Sequence, residues 1–266
     1  MSILQSKLRL TLALLVGVLT LAAPSFAIPV SGSFSIGGSS ADVGATFLNF
    51  ICNAALTASC PAATGNFVVT SPVSGSFLGP PTYLGDTGFI RNLNQAIAPI
   101  NQPISVPNFI SFNPAGTVLP PDIRLDLTFI FTGVGGQAQC AAAPAAGQMC
   151  TPAIPALVTA ANPLGLSAFT LANTQVGSSA TISVAGTATR ISTGEVSTFT
   201  GIFTAQFNQF YQELLQTFAT GGPDAFVENS YSATFNATPV TVPEASSITL
   251  LVGGLFLVGG IVRRRM

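Results

Sequence analysis

Side chains able to do chemistry are scarce in this chain, and their types narrow what that chemistry could be. Its 266 residues include no His and no Trp, and only 6% are charged. Without imidazole, neither a Ser–His or Cys–His nucleophile nor a His-ligated metal can be assembled. A Ser nucleophile would need Lys or a carboxylate as its base, and the single Lys, Lys7, lies close to the N-terminus. Paired carboxylates could hydrolyse a glycosidic bond if they flanked it at about 5–9.5 Å. Asp122 and Asp126 fall on one face of an expected strand with Arg124 between them. Four residues of strand separate them by about 13 Å, too far for either geometry. They read as a solvated, partly neutralised face. No Gly-rich phosphate loop stands between a strand and a helix. No Asp-x-Asp-x-Asp-Gly calcium loop occurs. We therefore expect no catalytic residue, no metal site, no cofactor and no enzyme activity.

Much of the remaining charge sits at the two ends. Lys7 and Arg9 precede a 14-residue apolar run, Leu10–Ala23, and Pro24 then breaks the helix. Ser25 and Ala27 place small residues at the −3 and −1 positions of a cleavage site, so residues 1–27 read as a secretory signal peptide cut by signal peptidase. At the other end, Ile248–Val262 forms a 15-residue largely apolar run, extended to 18 from Ala245. As a helix, 18 residues cover about 27 Å, just short of a hydrocarbon core near 30 Å. Arg263, Arg264 and Arg265 follow and would stay on the cytoplasmic side.

The order Val242-Pro243-Glu244-Ala245, then a short apolar helix, then a basic cluster resembles the PEP-CTERM protein-sorting signal over residues 242–266. The motif's second Pro is Ala245 here. The resemblance implies a Gram-negative-type bacterium that makes exopolysaccharide. It also implies transient residence in the inner membrane and processing by a membrane exosortase near Pro243-Glu244. The segment between the ends is similar to PEP-CTERM proteins of unassigned function. It carries ISVPNFISF (104–112), GQMCTP (147–152), STFTGIFTAQF (197–207), YQELLQTFATGG (211–222) and SYSATFNAT (230–238). That similarity implies one β-rich domain and assigns no activity to it.

Residues 28–241 are long enough for one substantial extracytoplasmic core. They hold three basic and eight acidic residues, a net charge of −5. A mildly acidic, Lys-free surface disfavours nucleic acid as a partner, because that binding needs clustered cations. Several segments alternate with period two. In 197–207, Phe199, Phe203 and Phe207 share a face with Gly201 and Ala205. In 122–132, Ile123, Leu125, Leu127, Phe129 and Phe131 are expected to point one way. In 230–238, Tyr231, Ala233, Phe235 and Ala237 oppose Ser232, Thr234, Asn236 and Thr238. Segments 181–191 and 108–112 also read as strands. We expect a mainly β fold, an antiparallel sandwich or jelly-roll-like arrangement. One packed helix, an N-terminal signal helix and a C-terminal hydrophobic helix complete it. The packed helix follows from the helical spacing of Phe207, Tyr211, Leu214, Leu215 and Phe218, stopped by Gly221 and Gly222. Its stripe is expected in the core. The hexapeptide PVSGSF occurs at 29–34 and again at 72–77, read as two strands in similar environments. The Ala- and Pro-rich stretch 138–155 reads as a surface loop.

Four Cys remain. Cys52 and Cys60 are eight apart, and Cys140 and Cys150 ten apart. These spacings are too wide for the Cys-x₂₋₄-Cys pairs of structural zinc. An even count in an exported chain argues for disulfides. Three pairings are possible, and the local one, 52–60 with 140–150, is the expected one. Each loop would contribute about 2–3 kcal/mol.

These features point to an exported envelope or extracellular-matrix protein with a structural role. The alternative is a non-catalytic carbohydrate-binding module for exopolysaccharide. Sugar-binding sandwiches stack their ligands on Trp or Tyr, and the three Tyr are Tyr83, Tyr211 and Tyr231. Only Tyr83, in the loop PPTYLGDTG, is expected to be free for that task.

Overall fold

In the computed structural model of the chain, described over residues 28–37, 40–56, 59–79, 82–95, 98–113, 122–222 and 224–240, the period-two segments pair into one antiparallel system. The strands are β1 (Gly32–Gly37), β2 (Ser40–Gly44), β3 (Phe47–Phe50), β4 (Thr64–Val73), β5 (Thr87–Arg91), β6 (Leu93–Asn94) and β7 (Val106–Asn113). They continue with β8 (Ile123–Ile130), β9 (Met149–Cys150), β10 (Thr170–Asn173), β11 (Ser178–Arg190), β12 (Val196–Phe207) and β13 (Phe226–Pro239). The helix α1 spans Tyr211–Gly221. All of these lie in one compact unit, Pro29–Val240.

The expected sandwich or jelly roll is corrected to a closed barrel. β1 pairs with β4, then β5, β7, β8, β11, β12 and β13 follow in turn, and β13 returns to β1. The eight strands leave no free edge in this ring, which removes the hazard of unpaired backbone groups that a sandwich must manage otherwise. Alternation by itself is the same for both architectures, because each buries one face of every strand. Closure depends on which distant strands meet, here β1 with β13.

Eight strands enclose an interior just wide enough for side chains to fill. Here Phe does the filling. Phe34 lies 5.0 Å from Phe235 and 5.2 Å from Phe112, ring centre to ring centre, and Phe203 lies 5.4 Å from Phe235. The outward positions of β12 and β13 carry mainly Thr, Ser, Asn and Gln. This is the reverse of the apolar outer band of a membrane barrel.

The faces expected for β12 and β13 are those observed. β8 departs from expectation. Ile123, Leu125 and Leu127 point inward, but Ala185 of β11 faces Phe129 while Gly186 faces Leu127, so Thr128 is an extra, bulged residue. A bulge shifts the alternation by one. Ile130 therefore enters the core at 1% exposure, and Phe131 turns outward at 40%.

At one end the ring divides. β13 pairs with β2 through Phe226–Ser230 before it pairs with β1, and β2 carries β3 and β6. β11 likewise pairs with β10 through Ser178–Thr181 before it meets β8, and β10 carries β9. The helix begins here, separated from the end of β12 by three residues, and buries Tyr211 and Leu214. Gly222, at φ +83°, ends it as expected.

At the opposite end the two PVSGSF copies turn out to be partners. Ser76 N–H donates to the Ser31 carbonyl at 2.6 Å and Ser74 N–H to the Ser33 carbonyl at 2.8 Å. The Ser31 and Ser33 amides donate to the Ser76 and Ser74 hydroxyls. Gly32 and Gly75 sit at φ +111° and +58°, and a Cβ on either would lie 2.2–2.3 Å from a backbone oxygen of the other copy. The repeat is thus a reciprocal clasp in which each Gly lets the facing backbone approach.

The stretch 138–155 is more ordered than a plain loop. It includes a short 3₁₀ helix at Gln137–Ala141 and the strand β9, and Cys150 and Thr151 are fully buried. The expected signal helix and C-terminal hydrophobic helix lie outside the described residues. Among the described residues no helix is long and apolar enough to cross a membrane.

Candidate functional site

The sorting residues named from the sequence, Ser25, Ala27, Val242, Pro243, Glu244, Ala245 and Arg263–Arg265, lie outside the described residues. The four Cys lie within them and pair locally. Cys52 bonds Cys60 and Cys140 bonds Cys150, with Cα atoms 5.9 and 5.1 Å apart.

The strand-face acids are occupied structurally. Arg190 donates to Asp122 at 2.8 Å, and Arg124 meets Asp126 at 2.9 Å. Partial burial alone would favour protonated Asp122. The Ser192 hydroxyl and amide and the Arg190 guanidinium outweigh burial and hold the carboxyl below its ordinary range. Asp126 also accepts the Asn108 amide at 2.7 Å, where Asn108 adopts φ +51° in a bulge of β7. Asp42 behaves in the opposite way. Burial, and then Glu228 directly across the β2–β13 pair, raise its pKa. Among the described residues no group of three or more His, Cys, Asp or Glu is placed to hold a metal ion.

Tyr83 is not the free aromatic expected from its loop. It is 8% exposed, and its ring packs 4.7 Å from Phe112 and 5.8 Å from Phe77. Tyr211 and Tyr231 are buried as expected. The aromatic pair that does reach the outside is Phe129 and Phe131, 4.9 Å apart. Ile202 stands on the same outer surface, one strand beyond Ser183, and is 53% exposed. Alternation hid this pair, because only the bulge at Thr128 puts these rings outside.

Among the described residues, an apolar concavity of about 300 Å³ lies at the divided end of the barrel. One wall is the helix, through Leu214, Leu215, Phe218 and Ala219. The floor is Phe207, Ala180, Leu171 and Phe169, and the remaining sides are Val43–Ala45 and Pro152–Pro155. No lining residue carries a charge or a polar side chain. The helix is fastened at its first turn. Tyr211 Oη donates to the Gln139 carbonyl at 2.9 Å, and Asn173 Oδ1 accepts the Tyr211 amide at 3.0 Å. Gln212 donates to the Ala142 carbonyl and to Gln148. The stripe expected to be core is therefore split. Its first turn is core, whereas Leu215 and Phe218, one turn on, are half-buried over the cavity.

Neither the family models, nor the curated proteins, nor the solved structures searched contain a match to this chain.

Proposed function

We propose that the chain is an exported envelope or extracellular-matrix protein with a structural role. It is routed by a PEP-CTERM-type signal and trimmed by an exosortase near Pro243-Glu244. The observation that carries this reading is where the folded unit stops. It occupies Pro29–Val240, so the small-x-small site at Ser25–Ala27 and the motif Val242–Ala245 flank it without belonging to it. Processing at either place then leaves the barrel whole. The pairing of Gly32 with Ala237 also brings the first and last strands of the folded unit together at one end of the barrel. The two disulfides suit an oxidising compartment. The test is deletion of residues 242–266 in the producing bacterium. Loss of processing and altered localisation are expected, and unchanged fractionation and mass would refute the sorting route.

The alternative, a non-catalytic module for exopolysaccharide, is favoured by one feature, the outward Phe129–Phe131 pair on a hydroxyl-rich face. Flat rings can stack on the apolar faces of sugars. Co-sedimentation with the host polysaccharide, compared with a Phe129→Ser/Phe131→Ser variant, tests it. Equal recovery of both proteins would remove this reading.

A further inference from the structure

We propose that the cavity between α1 and the divided end of the barrel is a binding site for a small uncharged apolar molecule, of the size of a single hydrocarbon chain of about ten carbons. The inference goes beyond the sorting route and stands whether or not that route is correct. Its chemistry follows from the lining. Every wall is aliphatic, aromatic or proline, from Val43 on β2 to Phe218 on the helix. The concavity is partly open to solvent, and water in it finds few polar partners on its walls, so an apolar group displaces that water favourably. Enclosed apolar cavities of about 150 Å³ take up benzene for the same reason. At about 300 Å³ this one has room for roughly twice that. A charged or strongly hydrogen-bonding ligand would lose its hydration with nothing in return.

The walls also explain access. The hydrogen bonds that tie α1 to the rest of the fold come from Tyr211 and Gln212 at its start. The later side-chain bonds, from Thr217 and Thr220, stay within the helix. Leu215, Phe218 and Ala219 thus cover the cavity through apolar contact alone. That half can move outward without breaking a side-chain hydrogen bond to the barrel. Leu215 and Phe218 are only half-buried beside the concavity, so an apolar occupant removes more of their apolar surface from water and adds dispersion contacts.

The experiment uses the purified full chain and the uncharged dye 1-N-phenylnaphthylamine, followed by fluorescence and displaced with decanol. Saturable binding and displacement by decanol are expected. Ala180→Leu fills the cavity from its floor, and Ala45→Leu fills it from the opposite side as a second variant in case the first fails to fold. Either folded variant should weaken dye binding at least tenfold, with an unchanged or higher melting temperature. Ile202→Ser, on the outer barrel face, should leave binding unchanged. Undiminished binding in both filled variants would place the dye elsewhere on the chain, including its apolar C-terminal run, and would overturn the proposal. So would an equal loss in Ile202→Ser, or no saturable binding by the unaltered chain.

Discussion

The two ends of this barrel are closed by different chemistry. At the end where β1 starts and β13 finishes, closure is polar and tight. The two Ser-Gly-Ser segments exchange backbone and hydroxyl hydrogen bonds, and Arg190 ties Asp122 and the Ser76 hydroxyl to the same place. At the other end, closure is apolar and loose. One amphipathic helix lies across a cavity, and both disulfides staple connections that belong to this end. A polar clasp needs short distances and left-handed backbone, so it tolerates almost no added atom. An apolar lid needs only contact, which is non-directional and leaves room. The difference implies that substitutions at the two ends should act with different size and sign.

The largest effect is expected at the clasp. Gly75→Ala would place a Cβ 2.2 Å from the Ser31 carbonyl oxygen at φ +58°. Denaturant unfolding should show a loss of about 3 kcal/mol or more. Gly136→Ala, near the helix end with nothing within 4 Å of the added carbon, should stay within about 0.5 kcal/mol. Equal effects would abolish the contrast.

Next comes Cys52→Ser with Cys60→Ser, which opens a loop with a sequence separation of 8. A loss of about 2–3 kcal/mol is expected, measured against the intact chain under non-reducing conditions.

A smaller effect of opposite sign should come from Ser197→Ala at the clasp end. Ser197 is fully buried, and its hydroxyl has no hydrogen-bond partner among the described residues. Removing an unsatisfied buried group should raise stability by about 1 kcal/mol. A lower melting temperature would mean that the hydroxyl has a partner after all.

The smallest effects are those of pH, and the two ends should again differ in sign. Asp122 at the clasp has its pKa held below the ordinary value near 3.9. The stability it contributes is complete above that value and is lost as pH falls through its folded-state pKa. Asp122→Asn should lower stability at pH 7 and flatten the acid side of the profile. Asp42 on β2 is raised, by burial and then by Glu228. Its folded state binds the proton more tightly, so the molecule loses stability as pH rises through the interval between the two pKa values. Asp42→Asn should raise the melting temperature at pH 7 and leave it nearly unchanged at pH 3.

Much of this architecture was legible before any tertiary contact was known, and the exceptions have specific causes. β12 and β13 were readable because their alternation runs unbroken against long neighbours. The helix was readable from its stripe and its terminal glycines. β8 was readable only to Leu127, since nothing in IRLDLTFIF distinguishes a bulged Thr128 from a regular one. Tyr83 looked exposed because its loop is rich in Pro and Gly, yet the loop folds the ring onto Phe112. The repeat was visible, but a hexapeptide does not say that its copy is its partner. Of the candidate sites, the disulfides were legible from spacing. The cavity was not, because Leu214 and Phe218 follow the same helical rule whether they cover a filled core or an empty one.

Local order thus set the identity of most elements, through the face each residue takes at period 2 or 3.6, through glycine, and through Cys spacing short enough to close a loop. It also set the absence of imidazole chemistry and the acidic, hydroxyl-rich exterior. Tertiary structure decided the rest. The ring closes only because β1 meets β13, about 200 residues later, and the clasp forms because β1 also pairs with β4, about 40 residues on. The outward Phe129–Phe131 pair arises from the bulge that the β8–β11 pairing imposes at Thr128, and the apolar cavity lies where β13 and β11 leave the ring to pair with β2 and β10. Each depends on contacts between segments far apart in the chain, and no local pattern encodes the distance between two faces that have not yet met.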